Sequence, residues 1–277
     1  MLSEEISLFR NACIVAAHPD DEVLWFSSIV CRVAKVFICF LGNPNQPGLG
    51  RGRRAALEQP PLDGFVHLGL DEADVYDLAR WPDPDLDPAG VVLDKARDDV
   101  TKRRYQKNFV RLTEELASRL SGYDTVFTHN PWGEYGHEEH IQVYRAVRQV
   151  QAKLGFQLWC SSYAGSRSHA LMTRCLEGRR LESISLETDI DFARQVAERY
   201  KENGVWTWFD DYVWPDREAF LGLLLPVGKK IGTRPVAINY LDMGQPLLPL
   251  ADRSLRQLAR KFRSRLPLSA ADKIPLV

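Results

Sequence analysis

The chain predicts an α/β fold: a Rossmann-like, mostly parallel sheet flanked by helices on both faces. Three observations carry that expectation. Short apolar runs of strand length alternate with helical patterns over roughly the first 165 residues. Turn-forming residues close most of these runs. Two dense clusters of histidines and acids follow two of them. Composition agrees: 277 residues, 45% hydrophobic and 26% charged, exclude disordered, collagen-like and coiled-coil classes. The formal charge of −1 argues against a nucleic-acid partner, which needs a basic face.

The elements follow in order. Residues 11–17 (NACIVAA) read as a first strand, and residues 22–32 as a helix. Residues 36–41 (VFICFL) read as a second strand, closed by Gly42-Asn43-Pro44. A helix over 50–59 stops at Pro60-Pro61, and a third strand covers 65–68. Residues 71–94 are a long loop, because WPDPDLDP suits neither a helix nor a central strand. Residues 98–120 form an amphipathic helix, with Phe109, Leu112, Leu116 and Leu120 in helical spacing. A fourth strand at 125–128, a helix at 137–152 and a fifth strand at 156–160 complete the alternation. Beyond Gly178 the pattern weakens. It suggests a strand at 183–186, a helix at 189–200, an aromatic run at 203–214 and a closing strand pair within 229–240. A basic amphipathic helix at 254–265 ends the reading, with six basic residues between Arg253 and Arg265. We therefore expect one domain over residues 1–250 and a basic extension over 251–277.

No run of about 18 uncharged apolar residues is present; Arg32 and Lys35 interrupt the nearest, 23–40. The first residues carry Glu4 and Glu5 and lack the basic start of a secretory leader. Five cysteines, none in a CxxC pair, fit reduced thiols and a cytoplasmic setting. The basic helix is expected to pack its apolar side on its own domain. Contact with an anionic membrane surface is the alternative.

In a doubly wound sheet, ligands bind beyond the carboxyl ends of the strands. That rule selects the loops after strands one and four. The first holds His18-Pro19-Asp20-Asp21-Glu22. His18 and Asp21 are three apart across a tight turn and can face one ion, with chemistry that suits zinc or a similar divalent metal. Asp20 is left beside it, where a general base belongs. The second loop holds Gly133-Glu134-Tyr135-Gly136-His137-Glu138-Glu139-His140. His137 and His140 share a helix face, and one of them can complete a three-ligand site of the open, catalytic kind. Glu139 or Glu138 can orient an imidazole from behind, and His129 lies close by in sequence. Taken singly, the two motifs are a capped turn and a pair of surface histidines. Their convergence at one sheet edge is the argument for a metal site. Arg51, Arg53 and Arg54 follow strand two, as substrate contacts or as a solvated helix start. Trp206, Trp208, Tyr212 and Trp214 offer a sugar-stacking surface, with burial as core the commoner fate of such clusters.

These residues resemble the LmbE-like (PIG-L) N-acetylglucosaminyl deacetylases. The likeness rests on Ala17-His18-Pro19-Asp20-Asp21-Glu22 and on Thr128 through His140, and covers about residues 11–165. It implies a Rossmann-like fold and zinc-dependent hydrolysis of an N-acetyl group on an amino sugar or glycoconjugate. By position it implies His18, Asp21 and His140 as ligands and Asp20 as base. His137 then matches the family's charged histidine facing the oxyanion, and Tyr135 a tyrosine over the acetyl oxygen. Glu139 stands where the family often has Asp. His129 and Trp132 match no fixed residue; Trp132 joins Arg51 and Arg53 as a candidate substrate contact. The alternative is a non-catalytic carbohydrate-binding or scaffold protein that keeps the fold. Hydride transfer is disfavoured, since no GxGxxG follows the first strand.

Overall fold

The structure, a computed structural model, describes residues 8–58, 60, 62–226 and 236–243. Its centre is a seven-stranded sheet. Five strands are parallel: β1 (Ala12–Ala16), β2 (Lys35–Gly42), β3 (Phe65–Asp71), β6 (Thr125–Thr128) and β7 (Gln157–Ser161). In space they run β3-β2-β1-β6-β7, and β10 (Arg217–Pro226) and β9 (Arg179–Glu187) complete that edge antiparallel. The described residues through Asp242 belong to one compact unit.

The first strand shows why its sequence is a continuous apolar run. Cys13, Val15 and Ala17 point into a core built with Leu112, Leu116, Val143 and Val147. Ala12, Ile14 and Ala16 point the other way, onto Trp25, Phe26 and Ile29. A strand buried on both faces has no polar side to alternate with. Helices cover these faces: α1 (Asp21–Leu24), α2 (Pro47–Glu58), α3 (Asp99–Arg119), α4 (Glu138–Leu154), α5 (His169–Leu176) and α6 (Ile190–Glu202). Asp98 caps α3 by accepting from the Thr101 amide at 2.7 Å, and Asp189 caps α6 through Phe192. Pro47 stands at the first position of α2, where its missing N–H costs nothing.

Two expectations are corrected. The helix expected over 22–32 ends at Leu24 and resumes only as a 3₁₀ turn, Val30–Arg32. The amide of Ser28 donates to the buried Glu218 carboxylate at 2.7 Å, so it is not available to a helical ladder. The loop over 71–94 contains a small hairpin, β4 (Leu86–Asp87) with β5 (Gly90–Val91). Of the closing strand pair expected within 229–240, residues 229–235 lie outside the described residues, and the described part holds β11 (Asn239–Leu241), parallel to β8 (Tyr163–Gly165). The long strand β10 was not anticipated. The basic helix at 254–265 and the extension over 251–277 also lie outside the described residues. Among the described residues no helix is long and apolar enough to cross a membrane.

Candidate active site

Strand order reverses between β1 and β6, with β2 and β3 on one side and β7 on the other. The loops leaving the carboxyl ends of β1 and β6 therefore part at this point and leave a crevice between them. The first delivers residues 18–22. The second delivers residues 129–140 and runs into α4. Gly133 permits its tight reversal: at φ 68 a Cβ would come 2.5 Å from the His137 carbonyl oxygen. Glu134 follows at φ 51 and is thereby turned back beneath His129 and His140.

Glu134 is fully buried and is surrounded by donors. It receives His140 Nδ1 at 2.7 Å, His129 Nδ1 at 3.1 Å, the Asn130 amide at 3.1 Å and the Ser161 hydroxyl. Burial alone would raise its pKa, yet the two imidazoles hold the carboxyl down at about 2. The bond to Glu134 keeps a hydrogen on His140 Nδ1 and turns Nε2 toward Asp21, so Nε2 is the nitrogen free to ligate once the ring gives up its second proton. That Nε2 is buried and has no hydrogen-bond partner. It sits 3.3 Å from Asp21 Oδ1, and Asp21 Oδ2 sits 3.3 Å from His18 Nδ1.

These spacings suit ligation. Two donors bound tetrahedrally at about 2.0–2.1 Å stand roughly 3.3 Å apart. The electrostatics point the same way. Burial should lower both imidazoles, but Asp21, Glu139 and Glu72 push His18 up to about 10. Asp21 and Glu134 likewise push His140 up to about 9. Asp21 is held well below the usual carboxylate range by His140 and His129, despite its burial. The pocket favours positive charge at the spot where these donors converge. Ligand atoms of His18, His137 and His140 approach within 4.8 Å of one another, as do those of Asp21, His129 and His140, and those of His18, Glu72 and Glu139. Imidazole and carboxylate donors, and a buried His140 Nε2 without a hydrogen-bond partner beside Asp21, fit a divalent ion such as zinc.

Asp20 takes the turn at φ 108, a conformation strained for a residue with a side chain. Its Oδ2 accepts from the Thr207 hydroxyl at 2.6 Å and the Thr207 amide at 3.3 Å. Burial and the adjacent Asp21 carboxylate push Asp20 up to about 6. His137 is the N-cap of α4, its Nδ1 accepting from the Glu139 amide at 3.2 Å. Its hydrogen therefore lies on Nε2. Burial and the neighbouring His140 and His18 push it well below its ordinary value. Tyr135 lies between Tyr76 and Trp208, at ring separations of 6.0 and 4.8 Å.

The two glutamates considered as orienting groups divide the work. Glu139 accepts from the Ala73 amide at 2.6 Å and holds His18 Nε2 at 3.2 Å. Glu138 faces away from the histidines; it anchors residues 77–81 and pairs with Arg167 at 3.2 Å.

The candidate substrate contacts fare differently. Trp132 is fully buried and its indole N–H donates to the Tyr163 carbonyl at 2.6 Å, so it is a core residue and offers no surface. Arg53 is buried against Glu72 in an ion pair, within the field of Asp20 and Asp21. Arg51, on the same helix, is exposed. Trp214 is buried, and Trp206, Trp208 and Tyr212 pack partly buried against the core, in line with the bland reading of that run.

Four contributors escaped the sequence reading. Glu72 follows β3, a third carboxyl-end loop that the strand rule would have flagged had it been applied there. Glu134 stood in the quoted motif without a role. His129, noted only as a neighbour, proves to share Glu134 with His140. Thr207 had no signal beyond its aromatic neighbours.

With this geometry in place, comparison with known proteins is informative. A 1D-myo-inositol 2-acetamido-2-deoxy-alpha-D-glucopyranoside deacetylase of Mycolicibacterium vanbaalenii is 28% identical over 156 residues, covering 52% of this chain and 55% of its own length. Its counterpart in Corynebacterium diphtheriae is also 28% identical, over 163 residues, covering 50% and 52%. The chain thus spans about half the length of the curated relatives it matches. The solved A40926 pseudoaglycone deacetylase Dbv21 superposes with a TM-score of 0.47 at 12% identity, over 79% of this chain and 99% of that one. The family model for PIG-L, the GlcNAc-PI de-N-acetylases, matches residues 13–151, a span holding the loops after β1 and β6 in full. This chain belongs to the PIG-L family.

Proposed function

We propose that the protein is a metal-dependent N-deacetylase that hydrolyses the acetamide of a 2-acetamido-2-deoxy sugar or its glycoconjugate. The observation that carries the reading is the buried Nε2 of His140, without a hydrogen-bond partner and 3.3 Å from Oδ1 of Asp21, the residue that follows the strained Asp20. His18, Asp21 and His140 would hold the ion, with zinc the metal the donors suit best. Such an ion, when bound, supplies Lewis acidity and a water acidic enough to lose its proton near neutral pH.

The chain's own groups account for the rest. Asp20 accepts the proton of the attacking water as the oxygen adds to the acetyl carbon. The Tyr135 hydroxyl and His137 Nε2–H donate toward the acetyl oxygen as it gains charge. Asp20 then returns its proton to the nitrogen while the C–N bond breaks, releasing acetate and a free amine. Glu139 and Glu134 fix the ring orientations of His18 and His140. The relatives that name a glucosaminyl-inositol substrate support a 2-acetamido glucoside as the first compound to try.

The test is acetate and free-amine release from a panel of N-acetyl sugars, with zinc-loaded protein. Asp20→Asn is expected to retain zinc and to lose about 100-fold or more in turnover. Equal turnover at matched zinc content would remove Asp20 from the role. Sugar binding with no release by the wild type would favour the non-catalytic alternative.

A further inference from the structure

We propose that Thr207 is a positioning residue that fixes the carboxylate plane of Asp20, so that the aromatic segment 203–214 is a working part of the site. The inference rests on the deacetylase reading. Thr207 lies 187 positions from Asp20, beyond the region matched by the family model. Both of its donors converge on one oxygen, Oδ2: the hydroxyl at 2.6 Å and the amide at 3.3 Å. Among the described residues these are the hydrogen bonds recorded for the Asp20 carboxylate. Anchoring Oδ2 fixes the plane of the group and leaves Oδ1 to receive the proton.

The segment is pinned on both sides of α1, the short helix that Asp20 and Asp21 begin. On one side Trp214 Nε1 donates to the Val23 carbonyl at 2.6 Å. On the other, the Val205 and Trp206 amides donate to the Tyr200 carbonyl at 2.9 and 3.2 Å, and the Tyr200 hydroxyl donates to Glu22 at 2.6 Å. Between the pins, Trp208 packs edge-on against Trp25 at 5.2 Å and tilted against Tyr135 at 4.8 Å. Trp25 in turn donates to Asp21 Oδ1 at 2.9 Å. A segment held this firmly on the same helix brings the Thr207 hydroxyl to Asp20 by construction. Thr207 is itself exposed, so its replacement removes a bond without opening the core.

The experiment compares Thr207→Val and Thr207→Ser with wild type in two ways. In zinc-loaded protein, the valine variant is expected to lose about 10- to 100-fold in kcat, as for a lost hydrogen bond to a charged group, with KM and zinc content unchanged. Serine, which keeps the hydroxyl, is expected to restore most of the loss. Crystal structures of the two variants are read independently of substrate: valine should let the Asp20 carboxylate rotate, and serine should hold it. A wild-type kcat in the valine variant, equal losses in both variants, or an unmoved Asp20 carboxylate would each overturn the proposal. If the wild type deacetylates nothing in the panel, the functional reading fails, and the crystallographic comparison alone decides whether Thr207 holds Asp20.

Discussion

At the level of single side chains, Glu134 illustrates how much of the site hangs on a residue whose carboxylate is taken up by protein donors. Its carboxylate joins two imidazoles and sets which nitrogen of His140 faces Asp21. Glu134→Gln keeps the shape but offers an amide hydrogen where an acceptor is needed. Titration of metal-free protein with zinc against a chromophoric chelator should show about 10- to 100-fold weaker binding. Unchanged affinity would mean that His140 is oriented by something else. The residues proposed as ligands were legible as candidates because HPDDE and HxxH are compact in sequence. Glu134 was legible only as part of a motif, since a carboxylate buried under imidazoles looks in sequence like any loop acid. Trp132 misled for the opposite reason: an aromatic in a motif loop is as often core as contact, and its indole found a backbone carbonyl inside.

Among secondary-structure elements, the parallel strands were readable because burial on both faces strips them of polar residues. Their far neighbours were not. Strand β10 sits between β7 and β9, and its Glu218 crosses to the Ser28 amide and hydroxyl, both at 2.7 Å, and to the Tyr163 hydroxyl at 3.0 Å. No local pattern announces such a partner 190 positions away, which is why the helix after the first strand was drawn too long. Burial pushes the Glu218 carboxyl up to about 7, against the pull of the Ser28 and Tyr163 donors. A carboxyl raised on folding keeps its proton in the native state to higher pH than in the unfolded chain. Its cost is therefore absent at low pH and grows as pH rises from about 4.5 to 7. Glu218→Gln should flatten the fall of Tm across that window and gain at most about 3 kcal/mol over wild type above it. Parallel pH curves for the two proteins would show that Glu218 does not titrate in this range.

For the whole molecule, the crevice gathers carboxylates from three loops: Asp20 and Asp21 after β1, Glu72 after β3, and Glu134 and Glu139 after β6. The buried guanidinium among them is Arg53, paired with Glu72. A fold that concentrates negative charge in its interior is relieved when a cation binds the native state alone. Zinc at about 1,000 times its dissociation constant should raise Tm on the order of 10 °C over chelator-treated protein, read by calorimetry or intrinsic fluorescence. An unchanged Tm would count against a built metal centre. The architecture as a whole was legible, because alternation of strand and helix admits few topologies. The aromatic segment 203–214 was not, because core packing and site support draw on the same residue types.

Separation along the chain has a consequence for biosynthesis. His18 and Glu139, which meet across the crevice, stand 121 positions apart. At about 5–20 residues per second, a ribosome needs roughly 6–24 s to make the second after the first. Through that interval the nascent His18 and Asp21 lack their companions, so an ion met early is held by fewer groups and exchanges readily. On the reading proposed above, durable metal loading thus waits until both loops have been made.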